Sequence, residues 1–260
     1  MGAGLSSLAD PSVATPVCLT IGGSDSCGGA GIQADLRVFE ALGVKGCSAT
    51  TALTAQNPHA ITRIEPVSLA QLDAEIHAVF DYYDVAVVKT GMLVDAEHVA
   101  LISALLDQRH KGPLIIDPVM VSSSGKPLLD VGGVDALMHA LVPQATLITP
   151  NLDEAAVILG APVDDPVAAV AQLREKLACA VLLKGGHGDG DQLLDLLCDS
   201  GGEIRRFEHA KQAWGAEQCH GTGCRLASAT AAMIAYGKGI QLSVKEAITY
   251  LQSSSNSVTF

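Results

Sequence analysis

The chain has 260 residues, 48% of them in the hydrophobic set and 17% charged, with a formal net charge of −12. A chain of this length buries roughly three quarters of its unfolded surface, which excludes a disordered protein of this composition. No long basic run is present, which excludes a nucleic-acid surface, and no apolar stretch reaches the ~18 residues of a membrane span.

Residues 1–16 lack the basic start and apolar stretch of a secretory leader and are expected to form a flexible segment. Residues 17–260 are expected to form one domain, because no linker or repeat interrupts them. "VCLTIG" (17–22) is a short apolar run ending in glycine, so it predicts a buried strand. "GGSDSCGGAG" (22–31) follows as a loop with five glycines in ten residues. It matches neither a dinucleotide nor a Walker fingerprint. Either the loop is a turn, or its backbone approaches a ligand at residues such as Gly23. "IQADLRVFEALG" predicts a helix with Ile32, Leu36, Phe39 and Leu42 on one face and Gly43 as its stop. Asp35 falls within that apolar stripe. A buried carboxylate is costly without a partner, so it either contacts a ligand or complements the helix start.

"GCSATTALTAQN" predicts a strand entering a loop, and "ITRIEPV" a shorter strand. Helices over 69–83, 96–108, 132–142, 152–160 and 166–177 alternate with strands in "DVAVVKTGM", "PLIIDPVMV", "ATLITPN" and "AVLLKGGHG". "DQLLDLLCD" and "GEIRRFEHA" predict a hairpin turning at "SGG". Helices over Thr222–Tyr236 and about Val244–Gln252 close the chain. The alternation predicts an α/β fold, an open and mostly parallel central sheet with helices on both faces. Ligands then bind beyond the carboxyl ends of the strands. Polar and glycine residues gather there: "TAQN" with Gln56, Lys89 in "KTGM", Asp117 in "DPVM", "TPNLDE", and Lys184 in "KGGHG".

Asn151 and Glu154 suit either a capping box or Mg²⁺ held through water. Lys89 and Lys184 either snorkel to solvent or meet an anion. "HGTGC" carries most weight. Gly221, Thr222 and Gly223 offer a concave run of amides at a helix start, a physical anion site. The same helix start is expected to lower the pKa of Cys224. The seven cysteines, an odd number with no CxxC pair, predict a reducing, cytoplasmic setting.

Taken together, "LTIGGSDSCGGAGIQADLRVFEALG", "TALTAQN", "KTGM", "DPVMVSSSG", "LITPNLDEA", "LLKGGH" and "HGTGC" resemble the ribokinase-like superfamily. Within it they are most similar to the hydroxymethylpyrimidine and phosphomethylpyrimidine kinases of thiamin biosynthesis. The resemblance spans about residues 17–252. It implies ATP- and Mg²⁺-dependent phosphorylation of the pyrimidine's hydroxymethyl group and then of the monophosphate, by a cytoplasmic homodimer. It assigns Gly23, Asp35 and Gln56 to the aminopyrimidine, with Met92 and Val119 against its ring. It assigns Asn151, Glu154, Asp117 and Lys184 to Mg–ATP, and Gly221–Cys224 to the anion hole, with Cys224 as base. The chain departs from the family at Ser26-Cys27, at Thr90 in "KTGM", before His220, and at Arg225. The alternatives are a pyridoxal kinase of the same superfamily and a non-catalytic pyrimidine-binding protein.

Overall fold

The computed structural model describes residues 14–122, 125–185, 192–210 and 220–254. The expected flexible segment, apart from residues 14–16, and the motif positions Gly186–Gly188 and Cys219 lie outside them. Among the described residues one nine-stranded sheet runs in the order β3-β2-β1-β4-β5-β6-β7-β8-β9. Its strands are β1 (Val17–Asp25), β2 (Lys45–Asn57), β3 (Ala60–Pro66), β4 (Val85–Thr90), β5 (Leu114–Ile116), β6 (Leu147–Ile148), β7 (Ala180–Leu183), β8 (Gln192–Cys198) and β9 (Ile204–Ala210). The six strands from β2 through β1 to β7 pair in parallel. β3, β8 and β9 add antiparallel edges.

Eight α-helices accompany them among the described residues: α1 (Gly31–Ala41), α2 (Leu69–Phe80), α3 (Ala96–Arg109), α4 (Val131–Ala136), α5 (Leu152–Leu159), α6 (Pro166–Leu177), α7 (Thr222–Ala235) and α8 (Ile240–Ser254). The parallel strands are apolar on both faces, so each face carries a core. On one side Leu19, Ile21, Val88, Ile116 and Leu183 pack with Leu72, Ile102, Leu106 and Leu173 of α2, α3 and α6. On the other, Cys18, Val87, Ile115 and Leu182 pack with Phe39 of α1, Met233 of α7 and Val244 of α8.

Two elements differ from expectation. The helix predicted over 132–142 is α-helical only through Ala136, continues as a π-turn over Leu137–Leu141, and ends in a 3₁₀ turn at Val142–Gln144. Pro143 has no N–H to continue the ladder, so the chain tightens instead. Gln56 lies within β2 rather than in a loop. The strand pairs with β3 through an Asn57 turn, whose side-chain oxygen accepts from the His59 and Ala60 amides at 2.9 and 3.1 Å.

Strand order reverses at β1, whose neighbours are β2 and β4. Such a reversal opens a crevice where successive crossover helices part to opposite faces. The motif residues collect at that end of the sheet.

Candidate active site

A cavity of about 700 Å³ opens beyond the carboxyl ends of β1, β4, β5 and β7. It is lined by every candidate residue read from the sequence: Gly23, Asp35, Gln56, Met92, Asp117, Val119, Asn151, Glu154, Lys184 and Gly221 to Cys224. Lys89 joins them.

Two lysine–carboxylate pairs form its floor. Lys89 and Asp35 are each 1% exposed, with Nζ donating to Oδ2 at 2.8 Å. Thr20 Oγ1 and Ser228 Oγ also donate to Asp35, both at 2.6 Å. Those three donors from β1, β4 and α7 answer the burial of the carboxylate seen on the helical wheel. Burial opposes the charge on Lys89, but Asp35, Cys224 and Asp117 outweigh it and raise its pKa. In the second pair Lys184 Nζ donates to Asp117 Oδ1 at 2.8 Å, and Thr149 Oγ1 donates to the same oxygen at 3.2 Å. Burial works to raise the Asp117 pKa, but Lys184 and Lys89 prevail and lower it.

Asn151 and Glu154 form a complete capping box at α5. The Asn151 amide donates to Glu154 Oε2 at 2.9 Å, and the Glu154 amide donates to Asn151 Oδ1 at 2.8 Å. The box does not remove Glu154 from the cavity wall. Burial, reinforced by Asp117, raises its pKa to about 7, against the pull of Lys184 and the amides of Asn151 and Met120. Capping and a place in the cavity thus coexist in one side chain.

The amide cradle stands opposite. Gly221 caps α7 in the left-handed region, at φ 76°. A Cβ there would lie 2.2 Å from the Gly29 carbonyl oxygen, so only glycine fits. At Gly223 a Cβ would lie 3.2 Å from Lys184 Nζ. The ammonium therefore sits against the positive end of a helix, an unfavourable neighbour. Cation and helix start converge in a chain of net charge −12, as an anion site requires.

Cys224 corrects one expectation. Burial pushes its thiol up to about 11; Lys89 opposes this, while Asp117 and Asp35 reinforce it. Cys224 is partly exposed and lines the cavity, yet desolvation outweighs the helix start. The thiol is protonated at neutral pH.

The apolar part of the cavity is built by Met92 and Leu128, with Val119 and Ile61 packed against them. Gln56 stands beside it, its backbone carbonyl accepting from Ser26 Oγ at 2.9 Å and Cys27 Sγ at 3.0 Å. A Cβ on Gly23 would lie 3.0 Å from Met92 Sδ, so the glycine leaves room for the thioether. Two groups escaped the sequence reading: Asp25 and His220, which meet at 3.0 Å from positions 195 residues apart. Only their flanking glycine runs hinted at a site.

No described helix is long and apolar enough to cross a membrane. Comparison with known proteins agrees with the geometry. A family model described as Phosphomethylpyrimidine kinase matches residues 25–259. A hydroxymethylpyrimidine/phosphomethylpyrimidine kinase of Rhizobium meliloti is 42% identical over 248 residues, covering 92% of this chain and 90% of that protein. The crystal structure of phosphomethylpyrimidine kinase from Clostridium difficile superposes with a TM-score of 0.80 at 34% identity, over 92% of this chain and 99% of that one. A pyridoxal kinase from Staphylococcus aureus, in complex with pyridoxal, superposes with a TM-score of 0.84 at 27% identity, over 94% and 89%. With the ribokinase-like sheet, the strand-end cavity and a match over nearly its whole length, the chain belongs to the phosphomethylpyrimidine kinase family.

Proposed function

We propose that this protein transfers the γ-phosphoryl group of ATP to the hydroxymethyl group of 4-amino-5-hydroxymethyl-2-methylpyrimidine, and then phosphorylates the monophosphate to the diphosphate. The observation that carries the reading is the convergence of an amide cradle, two lysines and a thiol on one apolar-walled cavity.

Each part has a task. Met92 and Val119 face a flat ring, and Gln56 offers a donor and an acceptor to its amino edge. Asp35, already holding three protein donors, positions Lys89 and the floor beneath the acceptor. The amides of Gly221–Gly223 and the ammonium of Lys184 face the charge that spreads over the transferring phosphoryl oxygens. The Cys224 thiol stands at the first turn of α7, where the acceptor hydroxyl's proton must leave. In the family resemblance it is the base. With a pKa of about 11 it acts only through its small thiolate fraction.

Mg²⁺ fits the donor set as a hydrated ion. Asp117, Glu154 and Asn151 offer hard oxygens at the strand ends, but no described group of three or more His, Cys, Asp or Glu side chains could hold a metal unaided. That suits an ion bound through one or two carboxylates, water and phosphates. When bound, it would neutralise phosphate charge and orient the γ-group. Homodimerisation is part of the proposal and is checked by light scattering.

Pyridoxal phosphorylation is a second reading, favoured by the close superposition on a pyridoxal kinase. The two separate when purified protein is incubated with Mg–ATP and each acceptor, and products are resolved by mass spectrometry. The proposal expects pyrimidine mono- and diphosphate. Phosphorylated pyridoxal alone would overturn it.

A further inference from the structure

The loop between β1 and α1 and the loop before α7 are interlocked. Asp25 organises the first loop: its Oδ1 accepts from the Cys27 amide at 2.8 Å and its Oδ2 from the Ala30 amide at 2.7 Å. Oδ2 also takes the hydrogen bond of His220 Nε2 at 3.0 Å. Nε2 is therefore the protonated ring nitrogen, because a carboxylate only accepts. The residue itself is pinned at its carbonyl by Arg225 Nη2 at 2.8 Å.

The glycines make this contact close. A Cβ on Gly29 would lie 2.7 Å from His220 Cδ2, and one on Gly221 would meet both the Gly29 oxygen and Ala30 Cα. Both Asp25 and His220 are buried. On the far side of the same loop, the Gly31 amide stands close enough to Cys224 to act against the rise in its pKa. The chain of contact is continuous: His220 grips Asp25, Asp25 shapes residues 25–31, and Gly31 lies on Cys224. His220 is also covalently next to the cradle.

We propose that Asp25 and His220 form a positioning pair that locks the glycine loop onto the amide cradle and thereby sets the placement of Cys224 and of the bound phosphoryl group. The pair touches no reacting atom; it works through Gly31 and Gly221. This rests on the kinase reading for its catalytic consequence, but not for its structural one. Releasing the loop uncovers the Cys224 sulfur, and because burial is the chief cause of its raised pKa, both access and thiolate fraction increase. A misplacement near 1 Å costs about 10²-fold in turnover.

The test compares His220→Ala, His220→Gln and Asp25→Asn with the parent protein. Glutamine places an N–H donor near the position of Nε2; alanine does not. Without substrate, iodoacetamide labelling of Cys224 is timed by peptide mass spectrometry, with Cys47 on β2 as internal reference. His220→Ala is expected to label Cys224 at least tenfold faster. Its kcat should fall about 10- to 100-fold while the ATP KM stays within about twofold. His220→Gln should stay within about threefold of the parent on both measures. If His220→Ala does not fold, Asp25→Asn carries the comparison, since it keeps the shape but loses one acceptor; faster labelling is again expected. Parent-like labelling and turnover in His220→Ala would overturn the pair. So would a glutamine variant as impaired as the alanine one, which would mean the ring only packs. If the parent phosphorylates no pyrimidine, the functional proposal fails, while the labelling rates still judge the pair.

Discussion

Cys224→Ala is the perturbation that bears most directly on the chemistry. In-line transfer needs the acceptor proton removed as the new bond forms, and general-base catalysis contributes roughly 10²–10⁴-fold. The structure sharpens the expectation. With the thiol at about 11, two pH units above its ordinary 9.0, about one Cys224 in 10⁴ is ionised at pH 7. If the thiolate is the base, the single-turnover rate rises about tenfold per pH unit and gains about 100-fold between pH 7 and pH 9. Cys224→Ala should lose that slope along with the 10²–10⁴-fold contribution, and keep its ATP affinity. Cys224→Asp supplies a base already ionised at neutral pH, so its rate should be partly restored and nearly flat over the same range. The assay is rapid quench with radiolabelled ATP and saturating pyrimidine, so that product release does not mask the step. No phosphocysteine should accumulate. A parent profile as flat as that of the alanine variant, or an alanine variant at the parent rate, would show that the cradle works without a base.

Other consequences are open to measurement. Glu154 should lose its proton as pH rises through about 7, so activation by Mg²⁺ should weaken as pH falls below that value. Glu154→Gln should show weak, pH-independent activation, and a magnesium titration at pH 6 and pH 8 distinguishes the two. The raised pKa also makes the Glu154 contribution to folding largest below the ordinary 4.5 and lost as pH rises through 7. Melting curves of Glu154→Gln should therefore gain on the parent between pH 5 and pH 8. Lys89→Met leaves Asp35 buried without its cation and should cost about 3–5 kcal/mol in urea unfolding. Adding Asp35→Asn to it should recover much of the loss, and a double variant as unstable as the single would refute the pairing. Gln56→Ala should raise the pyrimidine KM about tenfold with the ATP KM unchanged; unaltered acceptor kinetics would remove Gln56 from the pocket.

What could be read from the sequence was local. A strand ending in a polar residue announces that residue's place at the sheet edge, so Asp117, Lys184 and Lys89 were legible. So was the helix start at Gly221, since "GTG" stands directly before an alanine-rich stretch. The helical wheel revealed that Asp35 is buried, but its partners were hidden, because Lys89 lies 54 residues away and Ser228 193. The direction of the Cys224 pKa is hidden for the same reason. A helix start acts within its own turn, whereas desolvation comes from elements that the sequence does not place. Asp25 and His220 have no shared motif at all. Glu154 shows that a capping role does not take a side chain out of the cavity wall.

The order in which the two cores can form has a consequence for synthesis. One face of the sheet, with Cys18, Val87, Ile115, Leu147 and Leu182, is roofed by α1 and by the last two helices. On a ribosome, α7 and α8 emerge after every strand of the sheet. Until they do, every strand of the parallel sheet is already made, and that face has only α1 for cover. Nascent chains in that state aggregate readily and depend on chaperones. α7 also carries Gly221–Cys224 and Ser228, so a partly made chain lacks that wall of the cavity and a donor to Asp35. Truncation before residue 222 should yield an insoluble product rather than a weak enzyme, and a growing chain becomes competent in a single late event.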